Sequence, residues 1–135
     1  MIGILIVSHG KLSEGLMDAM QMIVGEQESV DFLSLNPNDS IEGLTARIKS
    51  VAEQLNQGKG VLILTDLFGA SPFNASGMAL ENCKFPIDVI TGFNLGMLIE
   101  IVMDREGKSL SEVSTLAYES GIGSIKKLSD LMDLS

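Results

Sequence analysis

The sequence predicts a single α/β domain over residues 1–135: a doubly wound, mainly parallel β-sheet with helices on both faces. Three observations carry that prediction. Apolar runs of strand length alternate with stretches whose apolar residues recur at helical spacing. Ile2–Val7 is aliphatic throughout, and Val61–Leu64 repeats the pattern, as strands buried on both faces do. The helical stretches between the runs are long enough for the right-handed crossovers that parallel neighbours require.

Each element follows in chain order. After the first strand, Leu12, Leu16, Met20, Ile23 and Val24 mark a helix that closes at Gly25, a favoured C-terminal cap. Val30–Leu35 alternates more and reads as a second strand nearer an edge. Asn36-Pro37-Asn38-Asp39 breaks the chain, and Ile41, Leu44, Ile48, Val51, Ala52 and Leu55 form an amphipathic stripe. Gly58-Lys59-Gly60 turns into the third strand, Val61–Thr65, and a helix is expected from about Pro72 to Asn82. Pro86 precedes a fourth strand, Ile87–Thr91, and Asn94 can cap a helix carrying Leu95, Leu98, Ile101 and Val102. Ser109-Leu110-Ser111-Glu112 has the spacing of a capping box and opens another helix. Beyond Gly121, the spacing of Ile122, Ile125, Leu128, Leu131 and Leu134 fits either a frayed helix or a short edge strand.

Composition narrows the functional classes. Eighteen acids against nine bases give a net charge of −9. A chain that wraps nucleic acid needs clustered Lys and Arg, and Lys126-Lys127 is the one adjacent pair. The acidic surface suits docking onto a basic partner, or serves solubility alone. One His and one Cys give no transition-metal cluster within a chain, and no disulfide can form within it. No run approaches the length of a membrane span and no cleavable signal layout opens the chain, so a soluble, cytoplasmic protein is expected.

A parallel sheet of this class binds ligands outside the carboxyl ends of its strands, where strand order reverses. Two strand ends carry chemistry there. The first runs into Ser8-His9-Gly10, with the only histidine; the third runs into Asp66 and then Leu67-Phe68-Gly69-Ala70-Ser71-Pro72. Ser71 as N-cap and Pro72 at the first helical position would start a helix whose free amides form an anion cradle, with Gly69 and Ala70 leaving the approach open. A neutral imidazole becomes a good nucleophile when a carboxylate accepts its other ring N–H, and Asp66 is placed to do so for His9. Each signal has a bland counterpart: a structural histidine, a turn-forming Asp, an ordinary helix start. Together they describe phosphoryl transfer through a phosphohistidine. Neither GxxxxGK[ST] nor GxGxxG is present, so no nucleotide cofactor is expected, and none is needed if the donor is a phosphoprotein.

At these residues the chain resembles the enzyme IIA domain of the mannose family of the bacterial phosphoenolpyruvate-dependent sugar phosphotransferase system. The resemblance covers essentially the whole chain. It is carried by Ser8-His9-Gly10, Gly25-Glu26-Gln27, the Asp66–Asn74 block DLFGASPFN, and Gly92-Phe93-Asn94-Leu95-Gly96-Met97-Leu98. It implies that His9 is phosphorylated at Nε2, that Asp66 holds Nδ1, and that Ser71 with the amides near Ala70, Gly69 and Gly10 binds the phosphoryl oxygens. It further implies HPr as donor, a IIB protein as acceptor, and membrane IIC and IID partners beyond it. A homodimer with an antiparallel C-terminal edge strand exchanged between flavodoxin-like sheets is also implied, and the tail after Gly121 would supply that strand. Phe68 and Phe73 are candidate partner contacts, or simply core.

Two positions depart from the family pattern. Ala70 stands where members often have a second glycine, and is strained only if its φ is positive. Gly96 replaces a proline, which predicts a looser loop above the site. Alternative readings are a receiver-like regulatory module, which would need an acidic pair where Ser8-His9 stands, and a flavodoxin, whose aromatics and Ser/Thr-rich phosphate loop are lacking. A third is the corresponding domain of a phosphotransferase-dependent dihydroxyacetone kinase.

Overall fold

The computed structural model describes residues 1–132. Its elements are β1 (Gly3–His9), α1 (Leu12–Val24), β2 (Val30–Leu35), α2 (Ile41–Leu55), β3 (Val61–Thr65), α3 (Ser71–Leu80), β4 (Ile87–Thr91), α4 (Leu95–Asp104), α5 (Leu110–Gly123) and α6 (Leu128–Leu131). The four strands are parallel in the order β2-β1-β3-β4. From β1 the chain steps outward to β2, then returns across β1 to β3, so strand order reverses between β1 and β3. That reversal puts the crossovers on opposite faces and leaves a crevice above the two central strands.

Alternate residues of the strands feed two cores. Ile4, Ile6, Leu62 and Leu64 pack with Met20, Met97, Leu98, Ile101, Val113 and Ala117 from α1, α4 and α5. Leu5, Val7, Val61 and Ile63 pack with Leu44, Ile48, Ala52, Ala75 and Ala79 from α2 and α3. The continuous aliphatic runs are thus explained by burial on both faces, and the mixed pattern of Val30–Leu35 by its edge position. Helix ends follow local chemistry. Gly25 closes α1 at φ 77°, the side chains of Ser40 and Asn94 accept N-cap bonds, and Ser109 with Glu112 forms the reciprocal capping box.

Several boundaries differ from expectation. β1 continues past the aliphatic run to His9, because its ladder with β2 runs to the His9–Leu35 rung and Gly10 N–H donates to Leu35 O at 2.9 Å. α3 starts one residue early: Ala70 is the N-cap, without a side-chain bond, and Ser71 is the first helical residue. It also ends early, at Leu80, before Asn82 turns left-handed at φ 59°. Leu12 and Ile23 of the α1 stripe are exposed, because the core contact of that helix centres on Met20 and the half-buried Leu16, Met17 and Val24. After Gly121 the chain finishes α5, bends through residues 124–127 and makes the single turn of α6. The antiparallel edge strand expected there is not formed within the single chain among the described residues; Leu134 lies outside them.

Gly96 is not loose. A Cβ on it would lie 2.5 Å from Ser124 Cβ, and the preceding Asn94 ties the loop to α5. Asn94 Oδ1 accepts from Met97 N–H at 2.9 Å and from Ser124 Oγ at 3.1 Å, while its Nδ2 donates to Gly121 O at 2.9 Å. Close packing replaces the rigidity of a proline ring.

Candidate functional site

β1 and β3 end side by side at the crevice, and their last residues meet. His9 Nδ1 lies 2.8 Å from Asp66 Oδ2, although 57 positions separate the two residues. The same oxygen accepts the His9 backbone N–H at 3.0 Å. One carboxylate oxygen therefore fixes both the main chain and the ring of the histidine. An ionised carboxylate only accepts, so Nδ1 carries the proton and Nε2 keeps its lone pair. Nε2 has no partner among the described residues, and the His9 side chain is 49% exposed against 11% for Asp66. Here a half-exposed imidazole rests on a sheltered carboxylate.

Burial pushes the Asp66 carboxyl up, but the His9 backbone N–H, its imidazole and its charge together outweigh that. The carboxyl is held below its ordinary value of 3.8, so it is ionised at neutral pH.

Ser8 holds the turn that presents His9. Its buried hydroxyl accepts Ser13 N–H at 2.7 Å and donates to His9 O at 3.1 Å. Ser13 Oγ in turn donates to Leu33 O of β2. α1 has no side-chain bond at its N-cap, Lys11, so Ser8 satisfies one of its first amides from outside the helix. The sequence names Ser8 only as part of the Ser8-His9-Gly10 strand end, with no role of its own. The only trace of it was a polar residue ending an aliphatic run.

On the other side, the loop 66–70 turns through Gly69 at φ 79°, a conformation that only glycine adopts without strain. Ala70 has φ −83°, so replacing a glycine there costs nothing in backbone geometry. Asn74 Nδ2 donates to Gly69 O at 2.9 Å and locks the loop onto α3. The Ser71 and Phe73 amides and the Ser71 hydroxyl have no partner among the described residues, and Pro72 has no N–H to offer. These groups lie at the positive end of a ten-residue helix. Gly10, at φ 51°, brings the backbone of the β1–α1 turn to the same edge. Phe68 and Phe73 stack at 5.1 Å between ring centroids, tilted by 50°. Phe68 is exposed and so is not core, as are its neighbour Leu67 and, across the crevice, Leu12.

A cleft of about 430 Å³ lies at the amino end of the strands, lined among others by Lys49, Asn56, Cys83 and Phe85, away from these residues. No three His, Cys, Asp or Glu side chains converge as metal ligands among the described residues. No described helix is long and apolar enough to cross a membrane.

Fold and site together define an α/β domain that presents one carboxylate-oriented histidine on an open surface. The comparisons agree. The EIIA-man family model, described as the PTS system fructose IIA component, matches residues 3–117. The mannose-specific EIIAB component of the phosphotransferase system of Escherichia coli (strain K12) is 37% identical over 128 residues. That match covers 94% of this chain but 39% of the relative, so the chain spans about two fifths of that protein's length. The sorbose-specific EIIA component of Lacticaseibacillus casei is 31% identical over 110 residues, covering 82% of this chain and 78% of that one. Among solved structures, the phosphotransferase system component EIIA from Streptococcus agalactiae superposes with a TM-score of 0.88 at 30% identity, covering 96% and 99% of the two chains. The mannose/sorbose-specific IIA subunit from Enterococcus faecalis gives 0.82 at 26% identity, covering 93% of each. The chain belongs to the mannose-type EIIA family of the phosphotransferase system.

Proposed function

We propose that the chain is a cytoplasmic phosphoryl carrier of a sugar phosphotransferase system, loaded by phospho-HPr on His9 and discharged to a IIB component. The IIB component then serves sugar uptake and phosphorylation through membrane IIC and IID partners. The observation that carries this reading is the 2.8 Å contact of His9 Nδ1 with Asp66 Oδ2, which leaves Nε2 bare and accessible. In the transfer, the Nε2 lone pair forms a bond to phosphorus as the P–N bond of the donor histidine breaks, its electron pair returning to that nitrogen. The proton on Nδ1 stays where it is, and the Asp66 charge offsets the cationic ring of the adduct. Ser71 and the amides around Ala70, Gly69 and Gly10 receive the phosphoryl oxygens. Leu12, Leu67 and Phe68 form an apolar rim on which a protein donor or acceptor can seat.

A receiver-like role fits less well. Asp66 Oδ2 is already engaged by His9, and buried Ser8 stands where an acidic pair would hold Mg²⁺. Incubation with phosphoenolpyruvate, enzyme I and HPr is expected to label His9, giving a base-stable, acid-labile adduct. Labelling of Asp66 by acetyl phosphate with Mg²⁺, and none from phospho-HPr, would falsify the reading.

The homodimer belongs to the same proposal. β4 is an open sheet edge; exposed Tyr118 and Ile122 of α5 and Ile125 after it line a hollow with Ile90 and Thr91 of β4, and exposed Leu128 and Leu131 follow in the tail. An edge strand with an apolar neighbourhood invites pairing, and residues 124–132 reaching across to a second copy would cover both. Sedimentation equilibrium should give twice the chain mass of 14.4 kDa. A monomer at micromolar concentration refutes the exchange.

A further inference from the structure

The sheet ends in β2 on one side and β4 on the other, and each edge strand turns alternate backbone groups away from its neighbour. Val61 N–H donates to Pro86 O, and Gly92 N–H donates to Thr65 O, so the even-numbered peptide groups of this stretch face β3. Ile87, Val89 and Thr91 of β4 therefore face outward. On β2, Ser29 O accepts from Ile4 N–H and Leu35 O from Gly10 N–H, which leaves Val30, Phe32 and Ser34 facing outward. At both edges the middle outward N–H is taken by the carboxylate of the preceding Asp. Phe32 N–H donates to Asp31 Oδ1 and Val89 N–H donates to Asp88 Oδ1, each at 2.8 Å. Aspartate is a poor strand former, yet it holds the second position of both edge strands and is absent from β1 and β3. Its placement guards the edges.

The two guards differ in what reinforces them. On β2, Arg47 of α2 donates to Ser34 O at 3.2 Å and to Asp39 Oδ2 at 3.2 Å, so a second outward group is covered. On β4, Asp88 is exposed, and its other oxygen accepts from Ser114 Oγ of α5 at 2.6 Å. α5 is the helix that runs into the tail. We propose that Asp88 is a releasable guard on the β4 edge: a strand from a second copy of this chain displaces its carboxylate from Val89 N–H, while the β2 edge stays shut. The occupant is the second copy's segment 124–132. That segment begins where α5 ends, beside the hollow that Tyr118, Ile122 and Ile125 form with Ile90 and Thr91. When it pairs, Val89 N–H exchanges the carboxylate for a backbone carbonyl, and the released carboxylate moves into water. No group is left unpaired, but the dimer forgoes a charge-assisted hydrogen bond that the free chain keeps. The guard therefore weakens dimerisation and protects the free chain from pairing with an arbitrary strand. This inference deepens the homodimer proposed above and rests on it.

The test is a sedimentation series over protein concentration on wild type, Asp88→Ala, Asp88→Asn and Ser114→Ala. Asp88→Ala is expected to tighten the dimer about 10-fold in Kd, because only the free chain loses a bond. Asp88→Asn removes the charge but keeps an oxygen that accepts Val89 N–H, so its Kd should stay close to the wild-type value. Ser114→Ala should shift Kd in the direction of the alanine variant, by less, and it stands in should Asp88→Ala fail to fold. Amide exchange on the dimer should show new protection at Thr91 and none along Val30–Leu35. An Asp88→Ala dimer no tighter than wild type overturns the guard. So does an Asn variant that tightens as much as Ala, since relief of charge repulsion would then explain both, and so does protection gained on β2. A monomeric wild type beside a dimeric Asp88→Ala refutes the homodimer reading and leaves the guard standing. If both stay monomeric throughout the series, both ideas fall.

Discussion

His9→Ala is expected to abolish phosphoryl acceptance from phospho-HPr, a loss of roughly 10³-fold or more, because the chain has no second imidazole to take its place. The fold survives. The His9 side chain is half exposed, and its removal leaves the β1–β2 ladder intact, so stability changes within about 1 kcal/mol. The His9 backbone N–H still donates to Asp66, which keeps that carboxylate paired in the variant. Thermal unfolding and label incorporation measured on the same sample separate the two effects. A folded His9→Ala protein that accepts phosphoryl at the wild-type rate removes His9 from the mechanism.

The second large effect is expected at Asp66. Asparagine is the informative substitution, because both observed contacts fall on one oxygen. An amide oxygen in the place of Oδ2 accepts the same two N–H groups, while its NH₂ occupies the place of Oδ1. The opposite orientation would set NH₂ against the His9 backbone N–H and is disfavoured. The variant therefore keeps the ring in place and loses only the charge, which isolates the electrostatic support of the phosphohistidine. Transfer should slow roughly 10-fold to 100-fold, the range typical of removing a carboxylate behind an imidazole. Equal rates for Asp and Asn would make the pairing purely structural.

The same pair predicts a pH dependence. The folded-state carboxyl of Asp66 is held below its ordinary value of 3.8. Its contribution to stability is therefore fully present above that value and lost as pH falls through the lower folded-state value. The stability gap between wild type and Asp66→Asn should shrink as pH falls from about 4 into stronger acid. A gap unchanged through that acid range would contradict the depressed carboxyl.

Much of this site was legible in the chain because its strands are buried on both faces. Continuous apolar runs such as Ile2–Val7 identify central parallel strands, and central strands end where such sheets keep their chemistry. That alone placed His9 and Asp66 on one edge. Which strands are adjacent is a tertiary fact, settled by the return of β3 to the far side of β1. The 2.8 Å contact could be expected but not measured. The misses have local causes. Helix periodicity cannot tell an N-cap from a first turn, so Ser71 was expected one position too early in its role. The part played by Ser8 depends on a hydroxyl reaching an amide five residues on, a bond with no signature in spacing. The tail after Gly121 carries an apolar pattern that suits a helix or a strand, and the single chain makes a turn of helix there. Pattern reports what is to be buried, not what buries it.

The central claim is that Asp66 reserves Nδ1 and leaves Nε2 to the phosphoryl group. ³¹P NMR of the phosphorylated protein reads this directly, since the two phosphohistidine isomers and an aspartyl phosphate resonate apart. One signal from phosphohistidine substituted at Nε2 is the predicted result. Phosphate on Nδ1, or on Asp66, would contradict it.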